Sequence, residues 1–447
     1  MKKSKRSIFF NLMPIFFITL SFILLVFVYY RSEFRDAGNL DYSKYYYLSI
    51  VSAFFWLIVS RLKYELKENI LILSISIISS LYLIEIVLHL NSPRNYDYKR
   101  EILAHNANIV FDTRSKFQVY RDLKEEGIDA IPSVQPSSFI GNNDIMPLGG
   151  VANKTTVFCN ESGEMSIFMS DRYGFNNPDE QWDNNIELVI LGDSFAQGAC
   201  VNSGQDIASI LRNETGASII NLGSEGNGPL IELATLKEYG ELLKPESVIW
   251  MYYEGNDLDG NLENELSSDL LRKYLNQKFS QNLVDKQSTL DIMINNQVKK
   301  NESKVLLERD RNISNWSSRW FRLYNIRSLL NLDDYVESEL KITSDFKNVL
   351  DTANLSVQEW GGKLYFVYLP SFNRYYSEIE NHDEYRKKAE VISIVNELHI
   401  PVFDVHSEVF MKRLDPLSLF PFKIQGHYTA EAYAIIAKLI SSKLALK

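Results

Sequence analysis

The feature that most constrains this chain is a buried strand that ends in a serine. The segment from Glu187 to Gly198, ELVILGDSFAQG, is an apolar, β-branched run that stops at Gly192-Asp193-Ser194. Such a run predicts a buried strand with Ser194 at its carboxyl end. Ligands of open α/β sheets bind outside the carboxyl ends of the strands. Ser194 is therefore a candidate nucleophile, provided that a base and an oxyanion site lie beside it.

Strand-like and helix-like segments alternate from this point to the end of the chain. Alternation with short loops predicts a parallel sheet with helices on both faces, and hence an α/β fold. The predicted strands are Leu188–Leu191, Ala217–Leu222, Ser247–Tyr253, Lys363–Tyr368 and Pro401–Val405, and the predicted helices are Asp206–Glu214, Leu230–Leu243, Asp345–Trp360, Asp383–Leu398 and Thr429–Leu446.

Three further short blocks follow the serine. They are Asn221-Leu222-Gly223-Ser224-Glu225-Gly226-Asn227-Gly228, Tyr253-Glu254-Gly255-Asn256-Asp257 and Gly426-His427-Tyr428. With these blocks in this order, the chain resembles the SGNH/GDSL hydrolase family from about Glu187 to its C-terminus. The resemblance implies a three-layer, flavodoxin-like domain with a parallel sheet, and serine chemistry on esters.

The resemblance also implies a role for each matching residue. Ser194 is the nucleophile and His427 is its base. The oxyanion donors are the backbone N–H groups of Ser194 and Gly223 and the side-chain amide of Asn256. Read without the resemblance, Gly223 and Asn256 are ordinary turn residues, and His427 is a surface loop histidine.

The catalytic acid is not where the family pattern puts it. The family has an aspartate three residues before its histidine, and Ile424 stands there; Glu254 also replaces the first glycine of the third block. We assign Asp415 as the acid, because it lies in the loop that leads to His427. The alternatives are Asp404, at the end of the fifth predicted strand, and a Ser–His dyad supported by a backbone carbonyl.

Three apolar segments open the chain: Ile8–Tyr30, Tyr45–Ser60 and Ile70–Leu90. Each is near the length that a membrane helix needs, although the second is marginal. Residues 1–90 are therefore predicted to be a transmembrane anchor of three helices. The alternative for the first segment is a cleaved signal peptide, but its apolar stretch is long and no small-residue cleavage site follows it.

Basic residues precede the first segment and separate the second from the third. They are Lys2, Lys3, Lys5 and Arg6, then Arg61, Lys63 and Lys67. The positive-inside rule then puts the N-terminus in the cytoplasm. Three crossings leave the chain after Leu90 on the extracytoplasmic (periplasmic) side of the cytoplasmic membrane. If the second segment does not span, this sidedness reverses.

Both cysteines lie after the apolar segments. In an exported domain Cys159 and Cys200 predict one disulfide, which would tie Val157–Glu161 to the rim of the active site; the alternative is two buried thiols. The predicted organisation is an anchor (1–90), an extracytoplasmic connector packed on the catalytic domain (91–183), and an SGNH hydrolase-like domain (184–447). A helical insertion at about 259–342 would act as a lid or a partner surface, or simply be solvated.

These features predict a membrane-anchored extracytoplasmic serine esterase that hydrolyses acyl esters, with acetyl esters of surface glycans as the leading substrate. One alternative is an O-acyltransferase that moves an acyl group to a glycan hydroxyl with a membrane acyltransferase partner, and another is a non-catalytic scaffold. The predicted partners are the lipid bilayer and an ester-bearing glycan or lipid-linked substrate. The net charge of −10 argues against nucleic-acid binding. Neither a metal-ligand spacing nor a phosphate-binding glycine loop is found, so no cofactor is predicted.

Overall fold

A computed structural model describes residues 2–35, 42–91, 96–141, 144–276, 278–330, 340, 342–376 and 385–446. The chain divides into two compact units. The first unit is Met1–Arg94 with Val305–Glu339, and the second is Asn95–Lys304 with Leu340–Lys447. The connector and the predicted catalytic domain therefore belong to the same unit, whereas part of the predicted insertion belongs with the N-terminal helices.

Three long helices open the first unit: α1 (Lys2–Tyr30), α2 (Ser43–Ser60) and α3 (Tyr64–Asn91). Among the described helices, two stretches are long and apolar enough to cross a membrane, Phe10–Phe34 and Tyr64–Leu88. Helix α2 is shorter and is not one of them. The helices pack through a small apolar cluster, in which the ring of Trp56 stacks on Phe17 with centroids 4.3 Å apart.

The remaining described elements follow in chain order. The helices are α4 (Tyr96–Asn106), α5 (Lys116–Glu125), α6 (Ser194–Gln197), α7 (Ile207–Thr215), α8 (Pro229–Thr235), α9 (Glu241–Leu243), α10 (Glu263–Leu266), α11 (Asp269–Arg272), α12 (Gln287–Phe321), α13 (Tyr324–Leu329), α14 (Ser344–Glu359), α15 (Asn373–Tyr376), α16 (Lys388–Glu397), α17 (Val405–Glu408) and α18 (Ala430–Leu444). The strands are β1 (Ala130–Pro132), β2 (Thr155–Val157), β3 (Ile167–Met169), β4 (Leu188–Gly192), β5 (Ile219–Asn221), β6 (Ser247–Tyr253), β7 (Lys363–Leu369) and β8 (Val402–Asp404).

A five-stranded parallel sheet forms the centre of the second unit, with strand order β5-β4-β6-β7-β8. The prediction of a parallel sheet is confirmed, and each predicted strand overlaps one observed strand. Strand β4 lies second from one edge and is buried along its whole length. A strand buried on both faces reads as a continuous apolar run, which is why this segment stands out in the sequence.

The two faces of β4 contribute to two separate apolar clusters. Leu188 and Ile190 belong to one cluster, together with buried side chains of α7 and α18. Val189 and Leu191 belong to the other, together with side chains of α8 and α14. Successive strand residues point to opposite faces, so the two faces of β4 contact different sets of apolar side chains.

The connector and the insertion add further structure around this sheet. The connector has a small mixed sheet of order β1-β2-β3, in which β1 and β2 are parallel and β2 and β3 are antiparallel. Most of the described part of the predicted insertion is helical, from α10 to α13, with an irregular segment at 278–283; residues 277, 331–339 and 341 lie outside the described part. Helix α12 belongs to the second unit up to Lys304 and to the first from Val305.

Candidate active site

The turn between β4 and α6 presents Ser194. Gly192 has a φ of +150°, and a Cβ there would come within 2.7 Å of the Ala196 side chain, so the turn requires glycine. The Asp193 carboxylate caps α6 by accepting a hydrogen bond from the Phe195 N–H at 2.8 Å. Ser194 is the first residue of α6 and is only 6% exposed.

Ser194 and His427 meet as the sequence predicts. The Ser194 Oγ and the His427 Nε2 lie 2.9 Å apart. The next residue, Tyr428, is buried; its hydroxyl donates to the Pro370 carbonyl at 2.6 Å, and its ring packs edge-on against Phe195. These contacts hold the loop before α18, so the imidazole is positioned to take the serine proton.

The carboxylate beside His427 is Glu161. Its Oε1 lies 3.1 Å from the His427 Nδ1, and its Oε2 accepts the His427 backbone N–H at 2.6 Å. A serine, a histidine and a carboxylate are thus joined in the order that a triad needs. Glu161 comes from the connector, on the loop after β2, and the four sequence blocks do not include it.

The expectation that Asp415 lies beside His427 is wrong. Asp415 instead forms an ion pair with Lys423, with an N–O distance of 2.6 Å, and both side chains are substantially exposed. The Lys423 ammonium lowers the pKa of Asp415. The other sequence candidate, Asp404, pairs with Lys388 at 2.7 Å and caps α17. Both aspartates are therefore engaged by lysines, and Glu161 occupies the place predicted for the acid.

The predicted disulfide is the one sequence signal that points towards Glu161. Cys159 and Cys200 are bonded, so this prediction is confirmed. The bond joins the loop that carries Glu161 to the segment just after α6. The Cys200 sulfur lies 3.6 Å from the His427 Nδ1, so the disulfide lies directly beside the candidate triad.

Arg100 of α4 supports Glu161 from the other side. Its Nη2 lies 3.3 Å from the Glu161 Oε1 and donates to the Gln425 carbonyl at 2.8 Å. A Cβ at Gly426 would lie 2.3 Å from the Glu161 carboxylate and 2.5 Å from the Arg100 guanidinium. The glycine before the histidine is therefore needed so that the acid and its arginine can reach His427.

The charges at the site favour an ionised acid and a basic histidine. Burial would lower the pKa of His427, but the Glu161 carboxylate outweighs it, and the pKa is raised above its usual 6.5. Burial would raise the pKa of Glu161, but His427 and Arg100 outweigh it, and that pKa is lowered below 4.5. Glu161 is thus a carboxylate near neutral pH and can stabilise an imidazolium.

The raised pKa of His427 predicts the pH dependence of turnover. A general base must be neutral to accept the serine proton, so kcat/KM should rise with pH through the pKa of the free enzyme's histidine. We expect the midpoint of this acidic limb above pH 6.5, measured on a soluble ester whose own ionisation is constant over the range. A midpoint at or below 6.5 would contradict the assigned balance between burial and Glu161.

The predicted oxyanion donors follow three adjacent strands. The Ser194 N–H, at the first position of α6, has no acceptor within that helix. Asn256 follows β6. Burial raises the pKa of the Asp193 carboxyl to about 6, against the opposing effects of the Phe195 N–H, His427 and the Asn256 amide. The Gly223 N–H, after β5, donates to the Asn221 Oδ1 at 2.9 Å. Gly223 would therefore have to share or exchange that acceptor to bind an oxyanion.

Glu254, the residue that departs from the family pattern, lies in a buried network next to Asn256. Its carboxylate forms an ion pair with Arg374, and both side chains are fully buried. It also accepts the Ser371 N–H at 2.7 Å and a hydrogen bond from the Tyr368 hydroxyl. The network joins the loop after β6 to the loop after β7, and so fixes the backbone that carries Asn256.

Breaking this ion pair should destabilise the fold. We expect Arg374→Met to lower the free energy of unfolding by about 3–5 kcal/mol, because it leaves Glu254 buried without its cation. Urea unfolding of the detergent-solubilised protein, followed by tryptophan fluorescence, measures this change. The control is Arg413→Met, which removes an exposed pair with Glu431 and should cost at most about 1 kcal/mol. Equal effects of the two substitutions would contradict the prediction.

Among known proteins, matches to this chain were found only in solved structures. No protein-family model and no curated protein matches the chain. The chain is similar to solved structures of the acetyl xylan esterase AlAXEase (9% identity, TM-score 0.33), a lipase/acylhydrolase from Enterococcus faecalis (12%, 0.33) and an acetylxylan esterase from Geobacillus stearothermophilus (14%, 0.32). These matches cover 58%, 59% and 58% of this chain and 100%, 97% and 94% of the respective structures.

Proposed function

We propose that the chain is a membrane-anchored serine esterase that acts on the extracytoplasmic side of the membrane. The observation that carries the proposal is the continuous contact from Ser194 through His427 to Glu161, at the carboxyl ends of a parallel sheet. The scaffold alternative depended on the aspartate missing from the fourth block. A carboxylate at His427, even though it comes from elsewhere in the chain, removes that argument. The proposal includes the three-layer, flavodoxin-like arrangement, which the two apolar clusters on opposite faces of the sheet support.

The geometry supports a two-step reaction. The Ser194 Oγ attacks the ester carbonyl while the His427 Nε2 takes its proton, and Glu161 stabilises the imidazolium. The Ser194 N–H and the Asn256 amide would receive the oxyanion, joined by the Gly223 N–H if it leaves Asn221. His427 then gives its proton to the leaving alcohol. The resulting acyl-enzyme ends by attack of water in hydrolysis, or of a sugar hydroxyl in transfer.

The membrane anchor in this proposal consists of α1, α2 and α3, with the N-terminus in the cytoplasm. The 18 residues of α2 span about 27 Å, close to the thickness of a bilayer core. Its apolar side chains are widely exposed, Phe54 to 67% and Leu48 to 55%, as lipid contact would require. The Cys159–Cys200 disulfide suits an oxidising compartment, which supports placing the second unit outside the cytoplasm.

The proposed substrate is an acyl ester, with acetyl esters of a surface glycan or a lipid-linked precursor first. This choice depends on the compartment, where such esters are exposed, and not on a contact in the site. Transfer to a glycan hydroxyl would use the same acyl-enzyme and would need a membrane partner to supply the acyl group.

Serine-reactive labelling tests the proposed function. The solubilised protein is treated with a fluorophosphonate, and the adduct is mapped by peptide mass spectrometry. We expect one adduct, at Ser194, and no adduct when the protein is denatured before the treatment. The labelled site is then compared with turnover of an acetyl ester, with and without an oligosaccharide acceptor. Free acetate alone supports hydrolysis, and ester on the sugar supports transfer. Absence of both the adduct and turnover would contradict the proposed esterase and favour the non-catalytic scaffold.

A further inference from the structure

A buried glutamate of α3, the third apolar helix, accepts three hydrogen bonds from the predicted insertion. Glu85 of α3 is fully buried, and its carboxylate accepts the Asn325 N–H, the Asn325 side-chain amide and the Ile326 N–H, each at 2.9 Å. Both residues that donate to it belong to the first turn of α13, whose backbone N–H groups lack intrahelical acceptors. A carboxylate in an apolar helix needs such donors, since burial without them is costly.

Neighbouring contacts attach the same end of the insertion to the apolar helices. The Tyr82 hydroxyl of α3 donates to the Phe321 carbonyl at 3.2 Å, and its ring lies 4.8 Å from that of Trp320. The Arg327 Nε donates to the Tyr45 hydroxyl of α2 at 2.7 Å. The insertion therefore returns to the first unit and is bonded there to two different helices.

These contacts fix the depth of the segment relative to α3. Glu85 lies one turn before Leu88, the end of the apolar stretch Tyr64–Leu88. One turn of helix rises about 5 Å, so the partners of Glu85 lie near the edge of the stretch that would occupy the hydrocarbon core.

The exposed side chains of the segment suit that depth. Phe321 is 65% exposed and Leu330 is 60% exposed, and Arg322 and Tyr324 are also exposed. Large apolar side chains facing water are unfavourable, whereas aromatic and basic residues are enriched where a membrane meets water. On α3 itself, Ile84 and Ile86 flank Glu85 and are 48% and 37% exposed, so exposed apolar side chains lie on both sides of the residue that binds the segment.

We propose that the segment from Trp320 to Leu330 is a second membrane-binding element, lying in the interfacial layer of the bilayer and held there by Glu85. Its partner is the lipid surface, because the segment carries exposed apolar, aromatic and basic side chains and is bonded to α3 at the edge of the apolar stretch. The inference rests on the proposed membrane anchoring. It adds an attachment in which the insertion, far along the chain from the anchor, also contacts lipid.

A site-specific fluorescent label tests the proposal in the full-length protein. Both native cysteines are in the disulfide, so an introduced cysteine is the only free thiol. Phe321→Cys carries an NBD label in lipid nanodiscs that contain doxyl-labelled phosphatidylcholine. Leu83→Cys is the lipid-facing control, and Leu242→Cys, an exposed position of the second unit, is the aqueous control. We expect doxyl lipid to quench the labels at positions 83 and 321 and to leave the label at 242 unquenched.

The outcomes separate this inference from the membrane anchoring on which it rests. If the label at position 83 is not quenched, the anchoring itself fails. If position 83 is quenched and position 321 responds only to aqueous dithionite, this inference alone is overturned. Protection of position 321 from both quenchers indicates a protein partner and also overturns it.

A second variant tests the role of Glu85. Adding Glu85→Ala to the Phe321→Cys protein should reduce lipid quenching at position 321, while quenching at position 83 stays unchanged. Turnover of a soluble ester should also stay unchanged, because neither residue contacts the triad. Undiminished quenching at position 321 would overturn the role given to Glu85.

Discussion

A Ser194→Ala variant is expected to lose esterase turnover by a factor of about 10⁴–10⁶, because the substitution removes the hydroxyl proposed to form the acyl-enzyme. Ser194 lies 2.9 Å from the His427 Nε2 and is nearly buried, so its replacement leaves a base with no nucleophile to activate. The measurement is kcat for hydrolysis of a chromogenic acetyl ester by the solubilised full-length protein.

The control for this variant is its fold. Alanine removes one hydroxyl at the first position of α6, so the unfolding temperature and the disulfide should match those of the parent protein. Turnover within tenfold of the parent would mean that ester hydrolysis occurs elsewhere, and the proposed function would then fail.

Glu161→Gln should give the second largest loss, a reduction of kcat by about 10²–10⁴. A neutral amide cannot stabilise the imidazolium, and its NH₂ group can donate to the His427 Nδ1, which would hold the imidazole in the tautomer unable to accept the serine proton. The same change removes the charge that raises the pKa of His427, so the acidic limb of the remaining activity should move to lower pH. A shift of this kind would not follow from a merely structural defect.

Asp415→Asn is the matched control. Asp415 contacts Lys423 on the surface, so this variant should keep turnover within about twofold of the parent protein. Full activity of Glu161→Gln combined with inactivity of Asp415→Asn would indicate that Asp415 is the catalytic acid, as the sequence analysis assigned it. Full activity of both variants would favour a dyad without a side-chain acid.

The central sheet could be predicted because its strands are short, apolar and separated by helices. Strand β4 is buried on both faces, so its sequence has no polar positions to obscure the run. Ser194 and His427 were predictable for a related reason, because each lies in a short block at the junction between two elements. Element ends were less accurate: the second predicted strand began at Ala217, whereas β5 begins at Ile219.

Glu161 could not be predicted in the same way. It contacts His427 across 266 positions of sequence, from a loop with neither helical nor strand periodicity. Asp415 was favoured only because it is close to His427 along the chain, and closeness in sequence does not determine which side chain reaches a ring nitrogen. The insertion posed a similar problem, since its helical pattern was visible but its contacts with Tyr82 and Glu85 were not.

The origin of Glu161 has a consequence for anyone preparing a soluble fragment of this protein. A fragment of residues 184–447 would contain all four sequence blocks and would look complete by motif. It would nevertheless lack Glu161 and its supporting Arg100, and Cys200 would carry an unpaired thiol beside His427, the proposed base. The smallest fragment that retains the proposed triad and its supporting arginine has to include α4, because Arg100 lies there.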